Sequence, residues 1–173
     1  MRILITGGSG SGKSTFAENL MRKLPPPHTY IATMRPFDGE SESKIARHRD
    51  MRAGKGFCTV EKETNVGSID LPGRGTALLE CMCNLTANEM FDIGGNVLDV
   101  YDKILGEIGK LEQACDTLIV VTNDVGSDGG GYDEKTMRYV CELGRLNRAL
   151  AARFECVFEL VCGIPVALKG ELP

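Results

Sequence analysis

Residues Gly7, Gly8, Ser9, Gly10, Ser11, Gly12, Lys13 and Ser14 follow directly on the apolar run Ile3-Leu4-Ile5. They fit the phosphate-binding pattern G-x-x-x-x-G-K-S/T, with Gly7, Gly12, Lys13 and Ser14 at its fixed positions. Glycines let successive backbone N–H groups turn inward around phosphate oxygens, and a helix N-terminus behind them adds its positive end. Lys13 would neutralise the β- and γ-phosphates, and the Ser14 hydroxyl would hold Mg²⁺. A flexible Gly/Ser linker could carry a lysine by chance, but it would lack flanking elements. Here a strand precedes the loop, and Phe16, Leu20 and Leu24 follow at helical spacing with Glu18, Arg22 and Lys23 between them.

That loop demands a strand feeding a helix, and the rest of the chain repeats the pattern. Apolar runs at residues 2–6, 29–33, 57–60, 76–80, 117–122 and 156–161 are rich in Ile, Val and Leu without strict alternation, as buried parallel strands are. Helical patterns lie between them at 13–24, about 41–52, near 85–91, 97–114 and 133–153. The expected fold is α/β: a three-layer, mostly parallel sheet of the phosphate-loop (P-loop) NTPase type. Pro25-Pro26-Pro27 stops the first helix, and the Gly- and Pro-containing stretch at 64–75 reads as a loop. At 173 residues the chain is expected to form a single nucleotide-binding domain over 1–173.

A net charge of -4 offers no general nucleic-acid footprint, so no nucleic-acid partner is expected. No apolar run is long enough to span a membrane. The apolar stretch after Met1 is too short for a signal peptide, and seven scattered cysteines suit reduced thiols in a cytoplasmic protein. The spacing Cys81-x-Cys83 is not that of a zinc site.

The loop's metal needs a carboxylate from the end of another strand. Ala77-Leu78-Leu79-Glu80 ends in Glu80, and Val120-Val121-Thr122-Asn123-Asp124 ends in Asp124. Both fall where ligands bind in parallel sheets, beyond the carboxyl ends of the strands. Glu80 is the preferred metal partner, with Asp124 as the alternative.

A second segment carries its own chemistry. His48 stands among Lys44, Arg47, Arg49 and Arg52. Such a helix can be no more than a solvated basic face with an incidental histidine. Its functional reading is sharper: nearby cations penalise imidazolium, keep His48 neutral and nucleophilic near neutral pH, and attract a triphosphate. The other histidine, His28, follows the proline run and reads as structural.

The collinear segments GGSGSGKS, TYIAT, KIARHRDMR, TVE, LLEC, VTNDVG, GRLNRAL and CGIPV resemble the bifunctional adenosylcobinamide kinase / adenosylcobinamide-phosphate guanylyltransferase family of cobalamin synthesis. The resemblance implies two reactions on a corrinoid substrate. ATP or GTP donates a γ-phosphate to adenosylcobinamide; GTP then guanylylates a histidine, and the GMP passes to adenosylcobinamide phosphate. The family's guanylylated histidine, in its I-x-x-H-R/K pattern, falls on His48. Its other nucleotide contacts fall on the loop from Gly7 to Ser14, on Ala32, Thr33 and Met34, on Arg49, Asp50, Met51 and Arg52, and on Glu61 and Glu80. The resemblance also implies a homotrimer.

The chain departs from the family pattern at Phe57, where tryptophan is usual, at Met82-Cys83-Asn84, and at Asn123-Asp124 in place of Asn-Glu. These departures touch neither the phosphate loop nor His48. The competing reading is a P-loop kinase of another small hydroxylated metabolite, which would need Lys13, Ser14 and Glu80 but not His48. A guanine-nucleotide switch is disfavoured, because no asparagine is followed by lysine.

Overall fold

Strands that are apolar on both faces need cover on both, and the helices supply it. The computed structural model describes residues 1–35, 56–91, 96–126 and 129–173. Along the chain run β1 (Arg2–Thr6), α1 (Lys13–Met21), β2 (His28–Ala32), β3 (Cys58–Glu61), a 3-10 turn at Val66–Ser68 and β4 (Thr76–Glu80). Then follow α2 (Met82–Met90), α3 (Tyr101–Ala114), β5 (Thr117–Val121), α4 (Glu134–Arg153), β6 (Cys156–Val161) and β7 (Ile164–Lys169). Among the described residues the strands form one sheet in the order β3-β2-β4-β5-β1-β6-β7. All pairings are parallel except β6 with β7. This is the α/β, phosphate-loop NTPase-like fold that the sequence leads one to expect.

Alternate residues of each strand point to opposite faces, so the central strands feed two cores. Leu4, Leu79, Leu118 and Val120 pack with α2, α3 and α4 through Leu85, Ile104, Ile108, Leu143, Leu146 and Leu150. Ile3, Ile5, Leu78, Ile119 and Val121 pack on the other face with Ala17, Leu20 and Met21 of α1. Each fully buried aliphatic side chain contributes about 1.5–3 kcal/mol.

Element ends differ from the sequence expectation for identifiable reasons. Helix α1 stops at Met21 rather than 24: the Lys23 and Leu24 N–H groups bond three residues back, to Leu20 and Met21, ahead of the prolines. His28 Nε2 donates to Leu24 O at 2.8 Å and ties off this end, which is the structural role expected of it. Helix α3 begins at Tyr101, not 97, because Val97 bridges Phe91 and the Asp99 carboxylate accepts the Tyr101 N–H at 3.3 Å. Helix α2 starts at Met82, before the expected 85. Strands β2 and β3 each sit one residue away from the expected 29–33 and 57–60, while β5 stops one residue short of 122. The helix expected at about 41–52 lies outside the described residues.

Strand β7 was not expected at all. Its interior Pro165 argues against a strand, yet β7 lies at the sheet edge, where a missing N–H leaves no partner unpaired.

Leu146 is fully buried in the larger core. Leu146→Ala should lower the free energy of unfolding by about 2–5 kcal/mol, measured by urea titration; a loss below about 1 kcal/mol would contradict the packing described.

Candidate nucleotide site

The loop joining β1 to α1 ties down several of its carbonyls. Gly8 O accepts the Ser11 N–H at 3.3 Å, Ser11 O accepts the Gly163 N–H at 2.9 Å, and Gly12 O accepts the Phe16 N–H at 3.0 Å. Gly7 O meets the Asp124 N–H at 3.4 Å. A trans peptide points its N–H opposite its C=O, so anchored carbonyls turn the following N–H groups towards the concave side. Glycine is required at two points. A Cβ on Gly7 would come within 2.6 Å of Leu160 O, and Gly12 has φ of 93°, which disfavours other side chains.

Lys13 starts α1 and is only 7 % exposed. Its Nζ donates to Gly8 O at 2.6 Å, folded along the loop, with Ser11 Oγ at 3.5 Å. Burial pushes its pKa below the ordinary lysine value, while the neighbouring Cys81–Cys83 pair opposes the shift.

One residue further on, Ser14 Oγ donates to Glu80 Oε1 at 2.7 Å. Glu80 ends β4, which is separated from β1 by β5. The contact therefore joins residues distant in sequence and not on adjacent strands. A hydroxyl and a carboxylate oxygen this close are hard donors that could hold a Mg²⁺ ion. Asp124, the alternative carboxylate, is exposed, and it meets the loop through its backbone N–H.

The remaining candidates spread along the same edge of the sheet. Ala32 ends β2 and Glu61 ends β3, and the two are register partners. Met34 is half-buried and Glu61 is exposed. Thr33 is completely buried, and its hydroxyl acts on protein backbone: Oγ1 lies 3.0 Å from Glu80 O and 2.9 Å from Cys81 O, and accepts the Cys81 N–H at 2.7 Å. Asn88 of α2 holds Thr33 in turn, donating from Nδ2 to Thr33 O at 2.7 Å and to Glu63 O at 3.1 Å. Thr33 and Asn88 thus brace the turn that carries Glu80. His48, Arg49, Asp50, Met51 and Arg52, with Lys44 and Arg47, lie outside the described residues.

Sequence reasoning missed Asn88, whose place in a helix gave no signal. It also missed Cys83. The neighbouring Cys81 thiol, with smaller contributions from polar groups around it, pulls the Cys83 pKa down to about 6, against burial; the Tyr139 hydroxyl donates to Cys83 O at 3.3 Å. Cys81 is raised as the partner that keeps the proton.

Burial lifts the Glu80 carboxyl above its ordinary value; the Ser14 hydrogen bond opposes the rise and Glu18 adds to it. With the folded pKa raised, the folded chain binds this proton more tightly than the unfolded chain. Stability linked to Glu80 is full below the unfolded pKa and falls as pH rises through the folded one. Glu80→Gln should raise the unfolding temperature by a few degrees at about pH 8 in metal- and nucleotide-free buffer, and leave it unchanged at about pH 3.5. Scanning fluorimetry at the two pH values checks this, and equal shifts at both would contradict it.

Comparison with known proteins matches nearly the whole chain. The family described as "CobU: Cobinamide kinase / cobinamide phosphate guanyltransferase" matches residues 3–168. The "Bifunctional adenosylcobalamin biosynthesis protein CobU" of Escherichia coli (strain K12) is 34% identical over 184 residues, covering 98% of this chain and 100% of that protein. The protein of the same description from Salmonella typhimurium matches to the same extent. The "Bifunctional adenosylcobalamin biosynthesis protein CobP" of Pseudomonas aeruginosa is 34% identical over 175 residues, covering 99% of each. The chain therefore belongs to the cobinamide kinase / cobinamide phosphate guanyltransferase family, and it is an enzyme of a family whose name covers both a phosphoryl and a guanylyl transfer.

Proposed function

We propose that the chain performs two successive transfers in cobalamin biosynthesis: phosphorylation of adenosylcobinamide by ATP or GTP, then transfer of GMP from GTP to the resulting phosphate through guanylylated His48. The observation that carries the phosphoryl half is the Ser14–Glu80 contact beside buried Lys13 at the mouth of the phosphate loop. Family membership supports both halves.

In the first reaction the loop N–H groups hold the β-phosphate, and Lys13 leaves Gly8 O for the β- and γ-phosphate oxygens. Ser14 and Glu80 would hold Mg²⁺, which neutralises charge on the transferred group. The substrate hydroxyl oxygen bonds to the γ-phosphorus and releases its proton to solvent, the bond to the bridging oxygen breaks, and the nucleoside diphosphate departs. In the second reaction a neutral His48 nitrogen bonds to the α-phosphorus of GTP and pyrophosphate leaves. A phosphate oxygen of the corrinoid then displaces the histidine. A covalent intermediate of this kind splits one displacement into two easier ones.

Lys44, Arg47, Arg49 and Arg52 around His48 in sequence favour its neutral form and attract the triphosphate. Ala32, Met34, Glu61, Asp50 and Met51 complete the nucleotide contacts in this reading, and Thr33 serves it by bracing Glu80. The chain works in the cytoplasm as a single-domain subunit of a homotrimer. Ile164, Val166 and Leu168, 66%, 43% and 58% exposed on edge strand β7, support self-association there. Among the described residues no helix is long and apolar enough to cross a membrane.

Lys13→Ala should lower the rate of adenosylcobinamide phosphorylation about 100-fold or more while leaving the circular dichroism spectrum unchanged. Incubation with GTP labelled at the α-phosphate should leave an acid-labile, base-stable label on the protein that His48→Asn abolishes. Equal labelling of that variant would remove the guanylyl half and favour a kinase without a covalent step. Light scattering should give three times the 18.8 kDa chain mass, and Val166→Lys should reduce it.

A further inference from the structure

The segment Cys162-Gly163-Ile164-Pro165-Val166 has no part in the two transfers as described. Strands β6 and β7 pair Val161 with Ile164, so only Cys162 and Gly163 form the turn, with φ of 51° and 82°. Positive φ at both central residues is the mirror-image hairpin turn, which suits the natural twist of paired strands. The tip of this turn leans on the phosphate loop. Gly163 N–H donates to Ser11 O at 2.9 Å, and its Cα lies 3.4 Å from where a Cβ on Gly12 would stand. The same hairpin presents Leu160 O to Gly7. Both fixed glycines of the motif therefore face one hairpin.

We infer that the β6–β7 hairpin tip, through the Gly163 N–H, is a positioning element that orients the Ser11–Gly12 peptide for phosphate binding. The Ser11 C=O and the Gly12 N–H belong to one planar trans peptide and point in opposite directions. Holding the carbonyl on the hairpin turns the Gly12 N–H to the concave side of the loop. Released, this peptide is free to rotate, because Gly12 has no side chain to limit it. Gly163 is thus a positioning residue and does not touch the reacting atoms.

The geometry also says why glycine stands at 163. A Cβ there would meet nothing within 4 Å, so space does not require glycine, whereas a φ of 82° favours it. Asparagine tolerates positive φ and a β-branched residue does not. Asparagine should therefore serve and valine should not.

The inference rests on the nucleotide reading of the loop, and the test separates the two. Binding of fluorescent ribose-labelled GDP and GMP is measured for the unaltered chain, Gly163→Asn, Gly163→Val and an ester chain. The last joins residues 1–161 to a synthetic peptide of residues 162–173 whose Cys162–Gly163 amide is an ester; ligation at Cys162 deletes only the N–H. Folding of each is checked by circular dichroism. Expected are a GDP dissociation constant raised about tenfold in the valine and ester chains, GMP affinity held within about twofold, and Gly163→Asn close to the unaltered chain. A folded ester chain that binds GDP as the unaltered chain does, or loses GDP and GMP equally, would overturn the positioning role. If the unaltered chain binds neither nucleotide, the reading of the loop falls first and this inference with it.

Discussion

Parallel strands cannot be joined by tight turns; between one and the next the chain must cross back over a face of the sheet. That constraint organises this protein. The described crossings lay apolar side chains against strand faces that are themselves apolar, and the parallel pairing starts every strand from β1 to β6 at the same edge. The carboxyl ends of β1, β2, β3, β4, β5 and β6 consequently share one edge, and every described candidate for the site lies along it: Glu61, Ala32, Glu80, Asp124 and the phosphate loop. The two cores and the position of the site are consequences of the same winding.

At that edge, part of the stability of the fold is set against function. Lys13 and Glu80 carry charges that burial disfavours, and both pKa values move towards the neutral form. The protein offsets this locally. Lys13 folds onto Gly8 O, Ser14 donates to Glu80, and Thr33 with Asn88 holds the turn beneath. Lys13, Ser14 and Glu80, which make these contacts, are the groups that the proposed function assigns to the nucleotide and its metal.

Much of this was legible in sequence for a physical reason. Glycine, lysine and serine at fixed spacing encode a backbone shape and a charge together, so the residues at 7–14 announce both the loop and its flanking elements. The strand ending in Glu80 was legible because a phosphate loop calls for a carboxylate at the carboxyl end of another strand. Strand β7 was not legible: Pro165 conceals it, and Cys162-Gly163 lacks the Asn-Gly signature of its turn type. Asn88 and Thr33 were also hidden in their actual role, since a clamp between a strand end and a helix leaves no periodic trace.

The sequence by itself determined the fold class, the phosphate loop and the family, because these depend on local backbone preferences, apolar patterning and collinear motifs. Tertiary structure alone decided which partners meet. It brought Ser14 of α1 against Glu80 at the end of β4, set the Thr33 hydroxyl on the backbone beneath Glu80, and set the Gly163 N–H on Ser11 O. Such contacts join positions some tens to more than a hundred residues apart. Their geometry follows from strand order and register, which no local window of sequence contains.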